Sequence, residues 1–369
     1  MTTTVATVLD ALDAIAPPDL AESWDNVGLL VGDAQAPCRR ALVALDVDAA
    51  LIRRAAKADA QLIVSHHPPI LSPLRRATTD DAAGRLVLEA ARRGVALAAA
   101  HTNYDVAEGG VNDVLAGLLG LRATEPLARC DRSALAKLVV FTPEGDLEAV
   151  VRALSDAGAG VIGQYRECTF RTPGTGTFRG LEGAHPTVGQ VGRREEVEEL
   201  RLEAVVPLAL AERAAAAARA AHSYEEPAID IYPLAGGRLD VGLGRCGQLP
   251  KPMAAAQVVR LIKQRLGVHA VRTAGNLRRK VLRVAVLGGS GGKHVDDAVR
   301  RGCQLYLTGD VSYHQAQAAE AAGLVVVDAG HAGTEQPAIP VLARRLARLC
   351  PGVRFLAVRP KAVGPLRTH

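Results

Sequence analysis

Residues 61–70 read QLIVSHHPPI. Leu62, Ile63 and Val64 form a short apolar run without polar alternation, the pattern of a strand buried on both faces of an α/β sheet. Pro68 and Pro69 cannot donate to a central ladder, so the strand must end before them. His66 and His67 therefore stand where a buried strand runs out, and in open α/β sheets that is the edge where ligands bind.

Working outward, strand-like runs alternate with amphipathic segments: RRALVALDVD, AALIRRAAKADA, QLIVSHHPP, DDAAGRLVLEAARRG and VALAAAHTNYD. The last third repeats the alternation in KVLRVAVLGG, HVDDAVRRG, CQLYLTGD, HQAQAAEAAG, LVVVDAGH and PVLARRLARL. This predicts α/β layers around a largely parallel sheet. The middle differs: ALAKLVVFTP, two alanine-rich helical patterns, a glycine-rich patch and RLEAVVPLA run in the order strand, helix, strands, helix, strand. Such an order predicts an inserted ferredoxin-like α+β module. The expected domains are a discontinuous α/β domain, 1–126 with 244–369, and an insert, 127–243. At 369 residues the chain has room for both,.

Hydrophobic residues make up 49% and aromatics only 3%, so the cores rest on Ala, Val and Leu. No apolar run approaches the roughly 20 residues of a membrane span, and MTTTVATVLDALDAIAPPDL lacks the order of a secretory signal,. The expectation is a soluble, cytoplasmic protein without a membrane partner. Six scattered cysteines with no C-x-x-C pair predict reduced structural thiols,. The net charge of +5 sits largely in arginine pairs such as Arg53-Arg54 and Arg92-Arg93 at helical positions, which reads as solvated helix faces and argues against a nucleic-acid partner,.

Beyond His66 and His67, other strand ends carry chemistry: His101 and Asp105 after VALAAA, Asp310 after LYLTG, and His331 after LVVVDAG with Glu335 one turn on. A lone buried histidine is usually a hydrogen-bonded core residue. A pair at one strand end, with His, Asp and Glu at others, points to a metal site instead. Imidazole and carboxylate without thiol suit zinc, iron, manganese or cobalt, and there are enough donors for two ions bridged by a carboxylate. GGSGGK (288–293) reads either as an anion-cradling loop or as a tight βα turn; it is not a Walker A sequence. Asp310 is expected to cap the helix after it as readily as to serve chemistry. His314, whose unperturbed pKa lies near neutrality, is the candidate catalytic proton shuttle.

ESWDNVGLLVGD, VSHHPPI, HTNYDVAEGGVND, GGSGGK, LTGDVSYHQAQAA and DAGHAGTEQ together resemble the Nif-three-like dinuclear metal-centre family, whose members are labelled type-two GTP cyclohydrolase I homologues. GTFRGLEGAHPTVGQVG and AAHSYEEPAIDIYPL resemble the CutA-like insert of its long members. The resemblance implies a homohexamer and two divalent ions per chain. His67 and Asp105 would hold one ion, His66 and His331 the other, and Glu335 would bridge them. His101 would lend support or contact substrate. The implied activity is that of a metal-dependent hydrolase in which metal-bound hydroxide attacks a nucleotide-like small molecule, at C8 of a guanine ring in the cyclohydrolase reading. A phosphoesterase or amidohydrolase acting on another small substrate and a non-enzymatic metal-binding scaffold or regulator are the alternatives.

Overall fold

The computed structural model describes residues 3–128, 134–163, 165–237 and 241–359. The chain divides into two compact units, Met1–Cys130 with Leu239–His369, and Asp131–Arg238. In order, the first unit contains α1 (Val5–Ile15), β1 (Gly28–Val31), β2 (Arg40–Ala44), α2 (Ala49–Lys57), β3 (Leu62–Ser65), α3 (Ala82–Arg92), β4 (Ala96–Ala99), α4 (Thr102–Val106), α5 (Val111–Leu118) and β5 (Arg122–Ala128). The second unit follows with β6 (Ala134–Thr142), α6 (Leu147–Asp156), β7 (Thr169–Arg179), β8 (Arg194–Pro207), α7 (Ala211–Ala220) and β9 (Ile229–Gly237). The first unit then resumes with β10 (Leu243–Ala254), α8 (Ala255–Leu266), β11 (Arg272–Ala274), β12 (Lys280–Ser290), α9 (Val295–Arg300), β13 (Leu305–Gly309), α10 (Tyr313–Ala321), β14 (Val325–Asp328), α11 (His331–Glu335), α12 (Ile339–Leu349) and β15 (Arg354–Ala357). The units part a few residues inside the expected cut points. The reason is that β5 pairs antiparallel with β10, Leu243 opposite Ala128, so both strands belong to the first unit.

Two sheets build the first unit, where the alternation alone suggested one. The five-stranded sheet runs β1-β4-β3-β2-β15, parallel from β4 to β15 with β1 antiparallel at the edge. Residues of one parity on β2 to β4, such as Val43, Val64 and Ala98, meet α1 and α12; the other parity, such as Leu42, Ile63 and Leu97, meets α2 and α3. Burial on both faces is why these strands read as continuous apolar runs. Asp48 and Asp81 start α2 and α3 by accepting the Leu51 and Gly84 amides at 2.6 and 2.8 Å,. The six-stranded sheet runs β11-β14-β13-β12-β10-β5; β12, β13 and β14 are parallel and the rest antiparallel. Val284, Val286, Leu305, Leu307, Val325 and Val327 pack with α5 and α8, while Ala285, Tyr306 and Val326 pack with α9 and α10.

In the second unit the antiparallel sheet β7-β8-β6-β9 carries two helices, the split βαβ arrangement of a ferredoxin-like module,. Its core joins Leu138, Val140, Leu202 and Val206 to Val150, Leu154 and Ala214. Five cysteines are free thiols, and Cys130 lies outside the described residues. Among the described residues no helix is long and apolar enough to cross a membrane.

Candidate metal centre

β3 is hydrogen-bonded to β2 and β4, so its end opens at the middle of the sheet. Past Ser65 the amides of His66 and His67 donate to consecutive carbonyls, Ala44 and Leu45, at 3.0 and 2.9 Å. Successive amides of a regular strand face opposite sides, so two in a row on one neighbour mean that the backbone has turned. Both imidazoles consequently lie together, ring centroids 5.1 Å apart, instead of on opposite faces. At the end of β4, His101 precedes α4, which carries Asp105. On the second sheet, α11 follows β14 and sets His331 and Glu335 four residues apart on one helical face,.

All four histidines are held at Nδ1. The acceptors are the Ala100 carbonyl for His66 at 2.9 Å, Asp46 for His67 at 2.7 Å, Asp25 for His101 at 2.9 Å and Asp310 for His331 at 2.7 Å. A carbonyl or carboxylate can only accept, so Nδ1 donates and Nε2 is the atom each ring offers to a metal. Those Nε2 atoms gather around two carboxylates. Glu335 Oε2 is 3.0 Å from His67, and Glu335 Oε1 is 3.3 Å from His331 and 3.7 Å from His66. Asp105 Oδ1 is 3.6 Å from His66. His66 Nε2, His67 Nε2, Asp105 Oδ1 and Glu335 Oε2 are buried, make no well-aligned hydrogen bond and face only one another. Buried polar atoms are normally paired, and four orphans at one point call for a ligand.

Without a bound ion these groups share protons. Burial opposes a charge on His67, but Asp46 and Glu335 raise its pKa to about 10. Glu335, with help from Asp310, raises His331 to about 9. His66 is also raised: Asp105 and Glu335 outweigh complete burial. Burial lifts Asp105 to about 6. Burial would lift Glu335 too, yet His331, His66 and His67 hold it well below the usual carboxylate range.

Three donor sets have ligand atoms within 4.8 Å of one another: His66, His67 and His101; His67, His331 and Glu335; and His66, Asp105 and Glu335. The chemistry of the set, its orphaned buried atoms and the fixed rings fit a metal ion. Glu335 belongs to two sets. The two adjacent histidines group the other way from the expected division: His67 lies with His331, and His66 with Asp105.

Two expectations, the Asp310 cap and the free glycine amides, are corrected. Asp310 does not cap α10; Ser312 does, accepting from the Gln315 amide. Asp310 instead holds His331, from a left-handed backbone with φ of +54°, which Asp tolerates better than most residues. The Gly288 and Gly289 amides are not free to cradle a phosphate, because they donate to Asn112 Oδ1 and Thr334 Oγ1 at 2.9 Å. These glycines make room: a Cβ on Gly289, where φ is +69°, would lie 2.3 Å from Glu335 Oε1. His314 is exposed on α10 beside Tyr313, and its ring is in none of the donor sets among the described residues. Asp25 and Asp46, which aim His101 and His67, were not singled out from sequence. Asp46 lies just beyond β2 and could have been found by treating every strand end alike; Asp25 carries no such signal. Its carboxylate is held near a pKa of about 2, since bonds from His101 and Thr102 outweigh burial.

The profile of Duf34/NIF3 (NGG1p interacting factor 3) matches residues 3–361. A protein of Halalkalibacterium halodurans is 42% identical over 325 residues, 88% of this chain and 87% of its own. One of Bacillus subtilis is 40% identical over 348 residues, 94% and 93% of the two chains. Both are called GTP cyclohydrolase 1 type 2 homolog. Among solved structures, a Bacillus cereus protein related to NIF3 superposes with a TM-score of 0.77 at 38% identity and full coverage of both chains. A Staphylococcus aureus protein gives 0.76 at 26% identity, covering 100% of this chain and 99% of that one.

Proposed function

The chain belongs to the Duf34/NIF3 family, and from that premise we propose that it is a dinuclear metal-dependent hydrolase acting on a nucleotide-like small molecule. One observation carries the reading: fixed imidazoles present Nε2 atoms to two buried carboxylates, and four of the donor atoms there make no well-aligned hydrogen bond and face only one another. His66, His67, Asp105, His331 and Glu335 would be the ligands. Glu335 belongs both to the set with His67 and His331 and to the set with His66 and Asp105, as a carboxylate shared by two ions would. Zinc, iron, manganese and cobalt suit these donors. Two such ions, when bound, supply positive charge and a water whose pKa falls from about 15.7 towards 7. Asp105 and Glu335 offset only part of that charge, so the site favours anionic or polarised substrates. Asp46, Asp310 and Asp25 keep the rings aimed. His314, exposed near the start of α10, carries protons to and from solvent. The nucleotide-like substrate is suggested by the name that the relatives bear. We read the protein as cytoplasmic, in keeping with the free thiols among the described residues,, and as a homohexamer on the family resemblance.

The test is direct. Protein loaded with one metal at a time is incubated with a nucleotide panel, and products are separated by chromatography. Turnover that disappears with chelator and returns with metal is expected, and His314→Ala should keep its metals while losing turnover. A fully loaded protein inert towards the whole panel refutes the hydrolase reading.

A further inference from the structure

We propose that Trp24 is the binding face for the planar ring of the substrate, a neutral heteroaromatic base, at the mouth of the metal centre; the inference rests on the nucleotide-like substrate proposed above. Trp24 is the only tryptophan in the chain, and it is 58% exposed. Its ring stands edge-to-face with His101, centroids 6.1 Å apart and planes at 77°. His101 in turn stands edge-to-face with His66 and His67, at 5.3 and 5.6 Å. The indole is thus one ring removed from two proposed ligands.

Its support is rigid. Asp25 accepts hydrogen bonds from His101 Nδ1 and from the amide and hydroxyl of Thr102. Asn26 Nδ2 donates to the Ile70 carbonyl at 2.7 Å, and the Glu22 amide donates to Thr102 Oγ1 at 2.9 Å. The backbone on both sides of Trp24 is therefore tied to the His101 turn and to the loop that follows His67. That loop exposes Leu71 and Leu74 at 46% and 37%. An indole whose neighbours in the chain are tied in this way and whose ring meets His101 edge-to-face, yet which is left largely in water, adds little to the core but is placed for a ligand,. Stacking is sequence-tolerant because every base has a π-face. A cation on the same ring is disfavoured beside dications, so the neutral ring is the occupant that fits.

The test uses the full metal-loaded chain with guanosine, GTP and inorganic tripolyphosphate as probes. Emission reports Trp24 alone, since there is no other tryptophan, and calorimetry gives affinity independently. Guanosine and GTP should quench the emission saturably while tripolyphosphate does not. Trp24→Ala should weaken guanosine binding about 5- to 150-fold with metal content unchanged, and Trp24→Phe should recover most of the loss. Equal GTP affinity in the wild type and Trp24→Ala overturns the role of Trp24 and leaves the nucleotide reading standing. Guanosine binding by calorimetry with emission unchanged, as for an indole covered by a neighbouring subunit, overturns it as well. Failure of both guanosine and GTP to bind the metal-loaded wild type overturns this inference and the nucleotide-like substrate together.

Discussion

Metal uptake should expel protons, and the geometry says how many. In the set formed by His67, His331 and Glu335, both imidazoles face the Glu335 carboxylate through Nε2, at 3.0 and 3.3 Å. That contact, with Asp46 and Asp310 behind the rings, raises His67 to about 10 and His331 to about 9. Unfolded imidazole titrates near 6.5. The folded values are raised, so the stability these pairs lend the metal-free chain is complete below about pH 6.5 and is lost as pH rises through about 9 to 10. Metal binding has the opposite sign, because each ion needs a bare Nε2. At pH 7 both rings hold the proton that an ion must replace, so about two protons leave per ion bound to this set. Glu335 contributes none, since it is already ionised. Apparent affinity should then rise about 100-fold per pH unit from about pH 7 to 9, about tenfold from 9 to 10, and level off. Calorimetry at pH 7 in buffers of different ionisation enthalpy counts the protons, and competition with a fluorescent chelator from pH 6.5 to 9.5 gives the slope. Asp46→Asn, which removes the leading cause of the His67 shift, should lower the release towards one proton and weaken binding about 10- to 100-fold. Release of less than one proton at pH 7, with affinity flat across the range, would refute the placement of these two rings on a metal.

Glu335→Gln keeps the side-chain volume but removes the charge shared by two donor sets, so elemental analysis after dialysis should find both ions depleted. His67→Ala should deplete the His331 side first and leave partial occupancy at His66 and Asp105; two full equivalents in Glu335→Gln would show that Glu335 is not the bridge. Gly289→Ala forces a Cβ to within 2.3 Å of Glu335 Oε1 at a left-handed φ, which should cost about 1–2 kcal/mol of stability and displace the carboxylate. Wild-type metal affinity in that variant, measured by chelator competition, would mean that Gly289 does not shape the site.

The strand ends were legible because strands buried on both faces announce themselves as apolar runs, and proline or glycine marks where they stop. Leu62–Val64 ending at Pro68 and Val325–Val327 ending at Gly330 are two such cases. The five proposed ligands follow the ends of β3, β4 and β14, directly or on the short helix after the strand. Alternation of strands and helices is the same for one sheet or two, however, and only the antiparallel pairing of β10 with β12 and β5 shows that β12 to β14 form a separate sheet. The glycines of residues 288–292 were ambiguous for a related reason. Glycine serves equally to bare an amide or to admit a neighbour, and at Gly289 the neighbour is Glu335, brought in by a helix more than 40 residues further along the chain. Asp25 lies in ESWDNVGLLVGD, one of the stretches that carry the resemblance, but its role was out of reach, since it meets His101 from 76 residues away in a loop with no periodic signal.

The carboxylates behind the rings also explain how one site serves two states of charge. With protons in place, positive imidazoles at 67 and 331 face Glu335 in front and Asp46 and Asp310 behind. The buried carboxylate is then paired, where a lone one would be costly. A metal bound here would take the place of the protons on Nε2, while the Nδ1 bonds to Asp46 and Asp310 need not change. Only the Nε2 side would be exchanged. The rings are aimed without metal, and the arrangement that avoids an unpaired buried charge is the one that would present its donors to metal.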